Sequence, residues 1–178
     1  MLEKIIIAGA GGQGIMLLGR VLVEAAAKED RYITWLPCYG AEVRGGAAYC
    51  MVVLSDEEIA SPCFDKADTL IAMNKPSFER FKDRIVNKGL LIINTSLIDA
   101  PININKNICI LKYPFTDIAV KLGNVKVTNM VALGCYINKR KVVDMNKMFR
   151  VIEEIAPSDK KGLIKINKQA ILSGAELK

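Results

Sequence analysis

Short apolar runs alternate along this chain with longer segments in which apolar residues recur at helical spacing. The first run, 4–8, leads through a glycine-rich turn into the apolar segment 14–27, so the order predicts a strand, a turn and a buried helix. Later runs of strand length occur at 32–36, 47–54, 68–73, 90–94 and 108–111. Segments with helical spacing follow the fourth and the sixth run. Alternation of this kind is typical of an α/β fold whose helices cover a mainly parallel sheet.

The connection between the second and third predicted strands is too short to contain a helix. Only residues 37–46 separate the two runs, whereas parallel neighbours need a crossover of about a dozen residues or more. We therefore expect one strand to run antiparallel to its neighbours. The fold class that follows is a Rossmann-like, three-layer α/β/α sandwich with a mixed, mainly parallel sheet. We expect one domain over residues 1–178, because domains of this length are common.

Several helix boundaries are predicted from single residues. Pro76 suits the first turn of a helix, and Gly89 is predicted to end that helix before the next strand. Thr128 is predicted to cap a helix over 129–136, and Asp144 to cap the helix after it.

The glycine-rich turn is the strongest local motif. Gly9, Gly11 and Gly14 have the G-x-G-x-x-G spacing, with Gly12 and Gln13 between them. Because glycine has no Cβ, backbone N–H groups and a helix N-terminus can approach an anionic group here. Close packing between helix and strand explains each glycine equally well. The motif therefore predicts an anion-compatible pocket without selecting its ligand.

A nicotinamide dinucleotide would need an acidic residue at the tip of the second strand, about twenty residues beyond the glycines. That strand leads into Pro37 and Cys38, with no Asp or Glu at its tip. Glu29 and Asp30 precede the strand and suit a solvated helix end. A free-standing NAD(P)-dependent oxidoreductase is therefore the less favoured alternative.

The composition limits the chemistry that this chain can perform alone. It has no histidine, which removes the commonest general base and metal ligand. Its five cysteines form no C-x-x-C pair, which disfavours a disulfide framework, a zinc ribbon or an iron–sulfur site. We therefore predict no catalytic residue and no metal site, and favour a binding module or a subunit. The net charge of +6 suits an acidic ligand or partner.

Other partner classes are disfavoured by the same kind of evidence. No apolar run approaches the roughly 20 residues that cross a bilayer, and the N-terminus lacks a signal-peptide pattern. We therefore expect a cytoplasmic location and no membrane contact. The basic clusters at 139–141 and 160–161 lack interleaved aromatic residues, so we expect no nucleic-acid partner.

The segment between the second and third strands is unusual in composition. It contains Tyr39, Glu42 and Arg44, followed by Gly45 and Gly46. Ligands of open α/β sheets bind beyond the carboxyl ends of the strands, where this segment begins. Arg44 can bind a phosphate or carboxylate through its planar fork, or it can pair with Glu42 in an ordinary loop. The sequence leaves both possibilities open.

Three motifs together carry a resemblance to a known family. GAGGQG at 9–14, TWLPCYGAEVRGG at 34–46 and VTNMVALG at 127–134 resemble the gamma subunit of 2-oxoacid:ferredoxin oxidoreductases of the pyruvate, 2-oxoglutarate and ketoisovalerate types. The resemblance covers essentially the whole chain, and the same domain is fused into single-chain pyruvate:ferredoxin oxidoreductases. Cys38 and Ala41 stand where the family pattern often has Ser and Pro, and both departures are conservative.

The resemblance implies a subunit of an oxidoreductase rather than a complete enzyme. Such a complex decarboxylates a 2-oxoacid on thiamine diphosphate, transfers the acyl group to coenzyme A and passes electrons through iron–sulfur clusters to ferredoxin. The resemblance places the thiamine and the clusters in thiamine-binding alpha and beta subunits and a ferredoxin-like subunit. It implies that the isolated chain is inactive, and a homodimer of the isolated chain is an open possibility. The 2-oxoacid is not identified, although the segment at 34–46 mildly favours 2-oxoglutarate.

The resemblance also implies a set of contact residues. The gamma subunit is expected to help bind coenzyme A and to pack on the thiamine-binding subunits. The implied contacts are Gly9, Gly11, Gly12, Gln13, Gly14, Tyr39, Glu42, Arg44, Gly45 and Asn129. For Asn129, a hydrogen bond within the fold at a helix N-terminus is the alternative. A purely structural assembly subunit, including one of an indolepyruvate oxidoreductase, is the alternative for the whole chain.

Overall fold

A computed structural model of the protein describes residues 1–38, 48–99, 101–104, 107–156 and 161–178. The strands in these ranges are β1 Leu2–Gly9, β2 Tyr32–Cys38, β3 Ala48–Ser55, β4 Ala67–Ala72, β5 Ile85–Asn94 and β6 Cys109–Tyr113. The α-helices are α1 Ile15–Ala27, α2 Lys75–Phe81, α3 Phe115–Lys121, α4 Thr128–Arg140, α5 Met145–Ile155 and α6 Lys161–Ala175. No helix in these ranges is long and apolar enough to cross a membrane.

The six strands form one mixed sheet in the order β2-β3-β1-β4-β5-β6. Strand β3 runs antiparallel to both β1 and β2, and every other pair in the sheet is parallel. The prediction of a mainly parallel sheet with one antiparallel strand is therefore confirmed. Its physical reason also holds, since β2 and β3 are joined by a connection too short for a crossover helix.

Residues of each strand alternate between two buried faces of the sheet. Ile5 and Ile7 face the layer that contains α1 and α3–α6. Ile6 and Ala8 face the opposite layer, where α2 contributes Phe78 and Phe81. Among the described helices only α2 covers that second face, so the two outer layers are unequal. The predicted helix–sheet–helix layering is confirmed in this form.

The boundary between α2 and β5 differs from the prediction. Helix α2 ends at Phe81, a short 3₁₀ turn follows, and β5 begins at Ile85. The prediction that Gly89 ends the helix is wrong, because Gly89 lies inside β5. Ile85 pairs with Ala67 of β4, and the register then shifts before Thr69. Pairing with β4 thus overrides the helical spacing of the apolar residues around this boundary.

The two predicted helix caps have different outcomes. Asp144 accepts hydrogen bonds from the backbone N–H groups of Asn146 (2.8 Å) and Lys147 (3.3 Å), which confirms it as the cap of α5. Thr128 is the first residue of α4, and its hydroxyl donates to the carbonyl oxygen of Val125 at 2.6 Å instead. The capping prediction for Thr128 is therefore wrong.

Helices α4 and α6 cross at two glycines. A Cβ placed on Gly134 of α4 would lie 2.0 Å from the carbonyl oxygen of Ile171, and one on Gly174 of α6 would lie 1.9 Å from that of Val131. Both distances are far below van der Waals contact, and both involve backbone atoms that cannot rotate away. The two helices therefore pack backbone against backbone.

A buried polar cluster lies at the amino ends of β1 and β4. The Glu3 carboxylate accepts a hydrogen bond from the Thr69 hydroxyl at 2.6 Å and pairs with the Arg140 guanidinium at 3.2 Å. The Tyr136 hydroxyl lies 3.5 Å from the same carboxylate oxygen. Burial raises the pKa of the Glu3 carboxyl, while the Thr69 hydrogen bond and the Arg140 charge oppose that rise. The carboxyl end of α4 is thereby fixed to the amino edge of the sheet.

Candidate functional site

The candidate site lies at the carboxyl edge of the sheet, where the glycine turn leaves β1. Gly9 pairs with Ala48 at the start of β3, and Cys38 at the end of β2 pairs with Tyr49. Ala8 pairs with Ala72 at the end of β4. The ends of β2, β1 and β4 therefore meet at one edge, which is where ligands bind in open α/β sheets.

Hydrogen bonds within the turn fix the position of Gln13. Its side-chain oxygen accepts from the Ala10 N–H at 2.6 Å, and its backbone N–H donates to the Ala10 carbonyl at 3.2 Å. Its side-chain nitrogen donates to the carbonyl oxygen of Met73 at 3.4 Å. Gln13 thus ties the glycine turn to the end of β4, so its amide has a role within the fold.

The four glycines of the turn serve different needs. A Cβ on Gly9 would lie 2.6 Å from the Gln13 side-chain oxygen, and one on Gly14 would lie 2.4 Å from the Asn129 side-chain nitrogen. Gly14 and Gly12 also have positive φ, at 70° and 85°. A Cβ on Gly11 would meet nothing within 4 Å, and Gly11 is exposed without a positive φ. Of these four glycines, only Gly11 could carry a side chain without a clash among the described residues and without a strained backbone.

Asn129 joins the third sequence motif to the glycine turn. It is buried as the second residue of α4, and its Nδ2 donates to the carbonyl oxygen of Gly14 at 3.0 Å. Its Oδ1 lies 3.0 Å from the backbone N–H of Met130, which donates to it. Both polar atoms of the amide therefore have partners within the fold. The structure thus places the Asn129 side chain in a hydrogen bond within the fold at a helix N-terminus, which the sequence analysis gave as the alternative to a ligand contact.

A cleft of about 150 Å³ opens beside the turn. Its lining residues come from four connections at the carboxyl edge: Gly12, Gln13, Leu97, Thr116, Val125, Lys126 and Thr128. Within the described ranges, the Lys126 ammonium group has no hydrogen-bond or ion-pair partner. The cleft therefore combines a glycine turn with a free cation, an arrangement suited to an anionic ligand.

Thr116 is oriented in this cleft by a buried residue. Asn94, at the end of β5, donates from Nδ2 to the Thr116 hydroxyl at 2.9 Å, and its Oδ1 lies 3.4 Å from the Thr116 backbone N–H. Asn94 Nδ2 also lies 3.4 Å from the Met73 carbonyl oxygen, which Gln13 contacts as well. A short network thus links the ends of β4 and β5 to the glycine turn.

Sequence reasoning did not predict five of the lining residues: Leu97, Thr116, Val125, Lys126 and Thr128. They follow β5 and β6, and the rule that ligands bind beyond strand ends could have indicated both connections. The strand order was needed to show that these connections adjoin the turn after β1.

Four predicted site residues lie outside the described residues: Tyr39, Glu42, Arg44 and Gly45. The described residues on either side of them, Cys38 and Ala48, both lie at the carboxyl edge. The segment that contains Arg44 therefore begins and ends at the same edge as the glycine turn.

Cys38 is the last described residue before that segment and is half-buried. Its thiol lies 3.8 Å from the carbonyl oxygen of Leu36. A hydrogen bond with Cys38 is the main cause that raises the pKa of the Tyr49 hydroxyl, with burial as the second. The Arg80 guanidinium stacks over the Tyr49 ring at 5.1 Å from its centroid.

Across the described ranges, no group of three or more His, Cys, Asp or Glu residues is placed to hold a metal ion.

Comparison with known proteins identifies relatives along the whole chain. The family model for pyruvate ferredoxin/flavodoxin oxidoreductase matches residues 4–177. The 2-oxoglutarate synthase subunit KorC of Methanocaldococcus jannaschii is 33% identical over 174 residues, covering 94% of this chain and 92% of the relative. The ketoisovalerate oxidoreductase subunit VorA of Methanothermobacter thermautotrophicus is 32% identical over 173 residues, covering 97% of this chain and 36% of the relative. This chain thus spans about a third of the length of the ketoisovalerate relatives that it matches.

Two solved structures share the fold. The gamma subunit of a keto/oxoacid ferredoxin oxidoreductase from Geobacter sulfurreducens has a TM-score of 0.84 at 25% identity, covering 98% of this chain and 96% of that one. The 2-oxoglutarate:ferredoxin oxidoreductase of Magnetococcus marinus, solved with 2-oxoglutarate, coenzyme A and succinyl-CoA bound, has a TM-score of 0.90 at 24% identity, covering 99% of this chain and 31% of that one. At that identity the second likeness concerns the fold alone. Since the family model spans almost every residue and the KorC relative matches along its length, this chain belongs to the pyruvate ferredoxin/flavodoxin oxidoreductase family.

Proposed function

We propose that this chain is the gamma-type subunit of a 2-oxoacid:ferredoxin oxidoreductase and helps to bind coenzyme A at the carboxyl edge of its sheet. The observation that carries the proposal is the cleft beside the glycine turn, which Gly12, Gln13 and Lys126 help to line and in which the Lys126 ammonium group has no partner among the described residues. Coenzyme A carries several phosphate charges, which suit backbone N–H groups and a lysine. The Magnetococcus relative was solved with coenzyme A, which supports this choice of ligand.

The same proposal assigns the other cofactors of the complex to partner subunits. Thiamine diphosphate and the iron–sulfur clusters belong to partners, namely thiamine-binding alpha and beta subunits and a ferredoxin-like subunit. The described cysteines suit this division, because Cys50 and Cys135 are buried apart from each other, on β3 and on α4. Burial raises the pKa of each of these two thiols to about 12, which disfavours the thiolate that an iron ligand must be. The chain serves as one domain in a cytoplasmic complex.

The proposal gives different roles to the residues around the glycine turn. Gly12 lines the cleft without a side chain, the exposed Gly11 precedes it, and Lys126 supplies the positive charge. Gly9, Gln13, Gly14 and Asn129 keep the turn in its shape through the contacts described above. Arg44 and its neighbours Tyr39, Glu42 and Gly45 stay predictions from the sequence, and Arg44 would add a second cation at the same edge.

The test is the apparent affinity of the intact complex for coenzyme A. Lys126→Ala is expected to raise the KM for coenzyme A at least about tenfold with little change in kcat, since a hydrogen bond to a charged group contributes about 1.5–3 kcal/mol. Gly11→Val adds a side chain directly before Gly12, which lines the cleft, and is expected to act in the same direction. Lys139→Ala is the matched control, because Lys139 lies at the opposite end of α4, near the amino edge.

An unchanged KM in both Lys126→Ala and Gly11→Val would overturn the coenzyme A role and favour a purely structural assembly subunit. The NAD(P) alternative has its own readout, which is titration of the purified chain with NADH. Strand β2 ends at Cys38 without an acidic residue to hold a ribose, so no saturable binding is expected.

A further inference from the structure

Two threonines line the cleft beside the glycine turn, and their hydroxyl groups differ in where the proton goes. The Thr128 hydroxyl donates to the carbonyl oxygen of Val125 at 2.6 Å, so its proton already has an acceptor within the fold. The Thr116 hydroxyl instead accepts a hydrogen bond, from Nδ2 of Asn94 at 2.9 Å. Of these two hydroxyls, only that of Thr116 therefore has a proton left for a ligand.

The surroundings of Asn94 fix the direction in which its amide points. The Thr116 backbone N–H can only donate, and it lies 3.4 Å from Asn94 Oδ1. The Met73 carbonyl oxygen can only accept, and it lies 3.4 Å from Asn94 Nδ2. A flipped amide would place donor against donor and acceptor against acceptor. Asn94 therefore presents its N–H group to Thr116 Oγ1, and the Thr116 hydroxyl cannot donate back to it.

The Thr116 hydroxyl proton is consequently directed away from Asn94. Within the described part of the chain, this proton has no hydrogen-bond acceptor. Thr116 is half-buried and lines the cleft, so the cleft is the open direction for its O–H group. Asn94 itself is fully buried, which keeps water from competing for its amide. The donor orientation of Thr116 is thus set by the fold before any ligand binds.

A free O–H donor beside an ammonium group suits one kind of ligand atom. Lys126 is the charged residue among the described residues that line the cleft, and its charge favours an anion. The exposed backbone of Gly12 borders the same space. A phosphate group has several oxygens that accept charge-assisted hydrogen bonds from different directions, whereas a carboxylate has two in one plane. Donors from three separate connections therefore favour a phosphate.

We propose that the Thr116 hydroxyl donates a hydrogen bond to a phosphate group of the ligand, and that Asn94 is the positioning residue that holds this hydroxyl as a donor. The inference rests on the proposed function, because it takes coenzyme A as the ligand of the cleft. It adds the chemical group that the cleft recognises and a second donor beside Lys126. Coenzyme A carries phosphate in its diphosphate bridge and at its 3′ position, and the experiment distinguishes the two.

The first test measures the KM for coenzyme A in the intact complex. Thr116→Val keeps the shape of the side chain but removes the donor, and is expected to raise the KM about tenfold with little change in kcat. Thr116→Ser keeps the hydroxyl and should restore most of the affinity. Thr95→Val is the matched control, because Thr95 directly follows Asn94 and is half-buried but does not line the cleft. Its effect should stay below about twofold.

The same variants assayed with 3′-dephospho-coenzyme A show which phosphate is bound. If Thr116→Val no longer changes the KM with this substrate, the hydroxyl contacts the 3′-phosphate. If the change remains, the hydroxyl contacts the diphosphate bridge. Either result supports the inference, provided that coenzyme A itself shows the effect.

The second test concerns Asn94 and uses pH as its readout. In Asn94→Asp, the introduced carboxyl can still donate to Thr116 Oγ1 while it is protonated. Once ionised it accepts the Thr116 proton, and the hydroxyl then turns its lone pairs toward the cleft. The KM of this variant divided by that of the parent should therefore rise with pH. The rise should be smaller in a Thr116→Val background, because the repulsion of the new charge alone then remains.

A ratio that stays constant with pH would show that Asn94 has a structural role only. Thermal melting of each full chain shows whether it folds. Should Asn94→Asp not fold, the comparison of Thr116→Val with Thr116→Ser still decides whether the hydroxyl acts on the ligand.

Titration of the ¹⁵N-labelled full chain with inorganic phosphate separates this inference from the proposed function. A raised KM in Lys126→Ala together with an unchanged KM in Thr116→Val would keep the coenzyme A role and overturn the role of Thr116. If both variants leave the KM unchanged, the coenzyme A role fails and the titration decides. Weaker phosphate-induced shifts of the Gly12 amide signal in Thr116→Val than in the parent would then support the donor, and equal shifts would overturn it.

Discussion

The Asn129 side chain donates a hydrogen bond of 3.0 Å from Nδ2 to the carbonyl oxygen of Gly14, across a separation of 115 residues in sequence. The same oxygen accepts the first helical hydrogen bond of α1, from the N–H of Leu18 at 3.0 Å. One carbonyl group therefore joins the N-terminal turns of α1 and α4. Two motifs that are far apart in the sequence form a single structural unit, and the proposed ligand site depends on it.

The contrast between Gly14 and Gly11 gives the first prediction. Gly14→Ala should destabilise the protein by about 3 kcal/mol, because the new Cβ would lie 2.4 Å from Asn129 and because Gly14 has a φ of 70°. Gly11→Ala should change the free energy of unfolding by less than about 0.5 kcal/mol, since its Cβ meets nothing within 4 Å. Urea denaturation followed by circular dichroism measures both. Equal losses in the two variants would contradict this assignment.

The crossing of α4 and α6 gives the second prediction. Gly134→Ala and Gly174→Ala should each destabilise the protein by about 3 kcal/mol or more, because the added methyl group would collide with backbone of the facing helix. Gly162→Ala in α6 is the control, since a Cβ there meets nothing within 4 Å. It should be neutral or stabilise the protein by about 0.5 kcal/mol through better helix propensity. Thermal melting should show a lower melting temperature for Gly134→Ala and Gly174→Ala. The melting temperature of Gly162→Ala should be unchanged or higher, although Gly162 lies on the same helix as Gly174.

Glu3 gives a prediction for pH dependence. Burial is the main cause that raises its pKa above the ordinary value of 4.5, so the folded protein keeps this proton to higher pH than the unfolded chain does. Its stabilising contribution is therefore complete below about pH 4.5 and is lost as the pH rises through the folded-state pKa. Glu3→Gln removes the titration. The free energy of unfolding of this variant, relative to the parent, should rise in urea titrations as the pH increases above the ordinary carboxyl pKa of 4.5.

A difference between the two proteins that stays constant with pH would show that Glu3 is not perturbed by burial. Asp56→Asn is a suitable control for the method, because Asp56 is exposed and its bond to the N-terminal amine lowers rather than raises its pKa. The free energy of unfolding of Asp56→Asn, relative to the parent, should therefore fall as the pH rises.

The cysteines give a prediction for thiol reactivity. Burial raises the pKa of Cys50 and of Cys135 to about 12, so at about pH 8 only about one molecule in ten thousand carries the thiolate at either position. Cys63 is exposed. Iodoacetamide labelling followed by mass spectrometry should modify Cys63 within minutes and the two buried thiols only after unfolding. Rapid labelling of Cys50 in native protein would contradict its placement in the core.

Much of the sheet could be predicted because its strands are buried and nearly continuous in apolar residues. The short connection 37–46 predicted that one strand runs antiparallel to its neighbours, because it admits no crossover helix. That this strand is β3 follows only from its pairing with β1 and β2. The end of α2 could not be predicted, because Phe78, Phe81 and Ile85 have helical spacing and only pairing with Ala67 places Ile85 in a strand.

The site was predicted in the part that is local in sequence. The glycine turn and Asn129 carry recognisable motifs, although the ligand contacts proposed for Gln13 and Asn129 are largely taken by hydrogen bonds within the fold. Thr116 and Lys126 carry no motif of their own. They lie near the turn because β4 and β5 bring later connections to the same edge. This strand order results from long-range packing, so no local pattern in the sequence predicts it.

The pairing of Cys38 with Tyr49 has a further consequence for how this scaffold can diversify. Seven residue pairs, down to Tyr32 with Ser55, hold β2 and β3 together independently of what joins them. Insertions or deletions between Cys38 and Ala48 therefore leave the strand register untouched, and a longer loop adds little entropic cost. That stretch can therefore change in length and composition while the paired strands beside it stay the same.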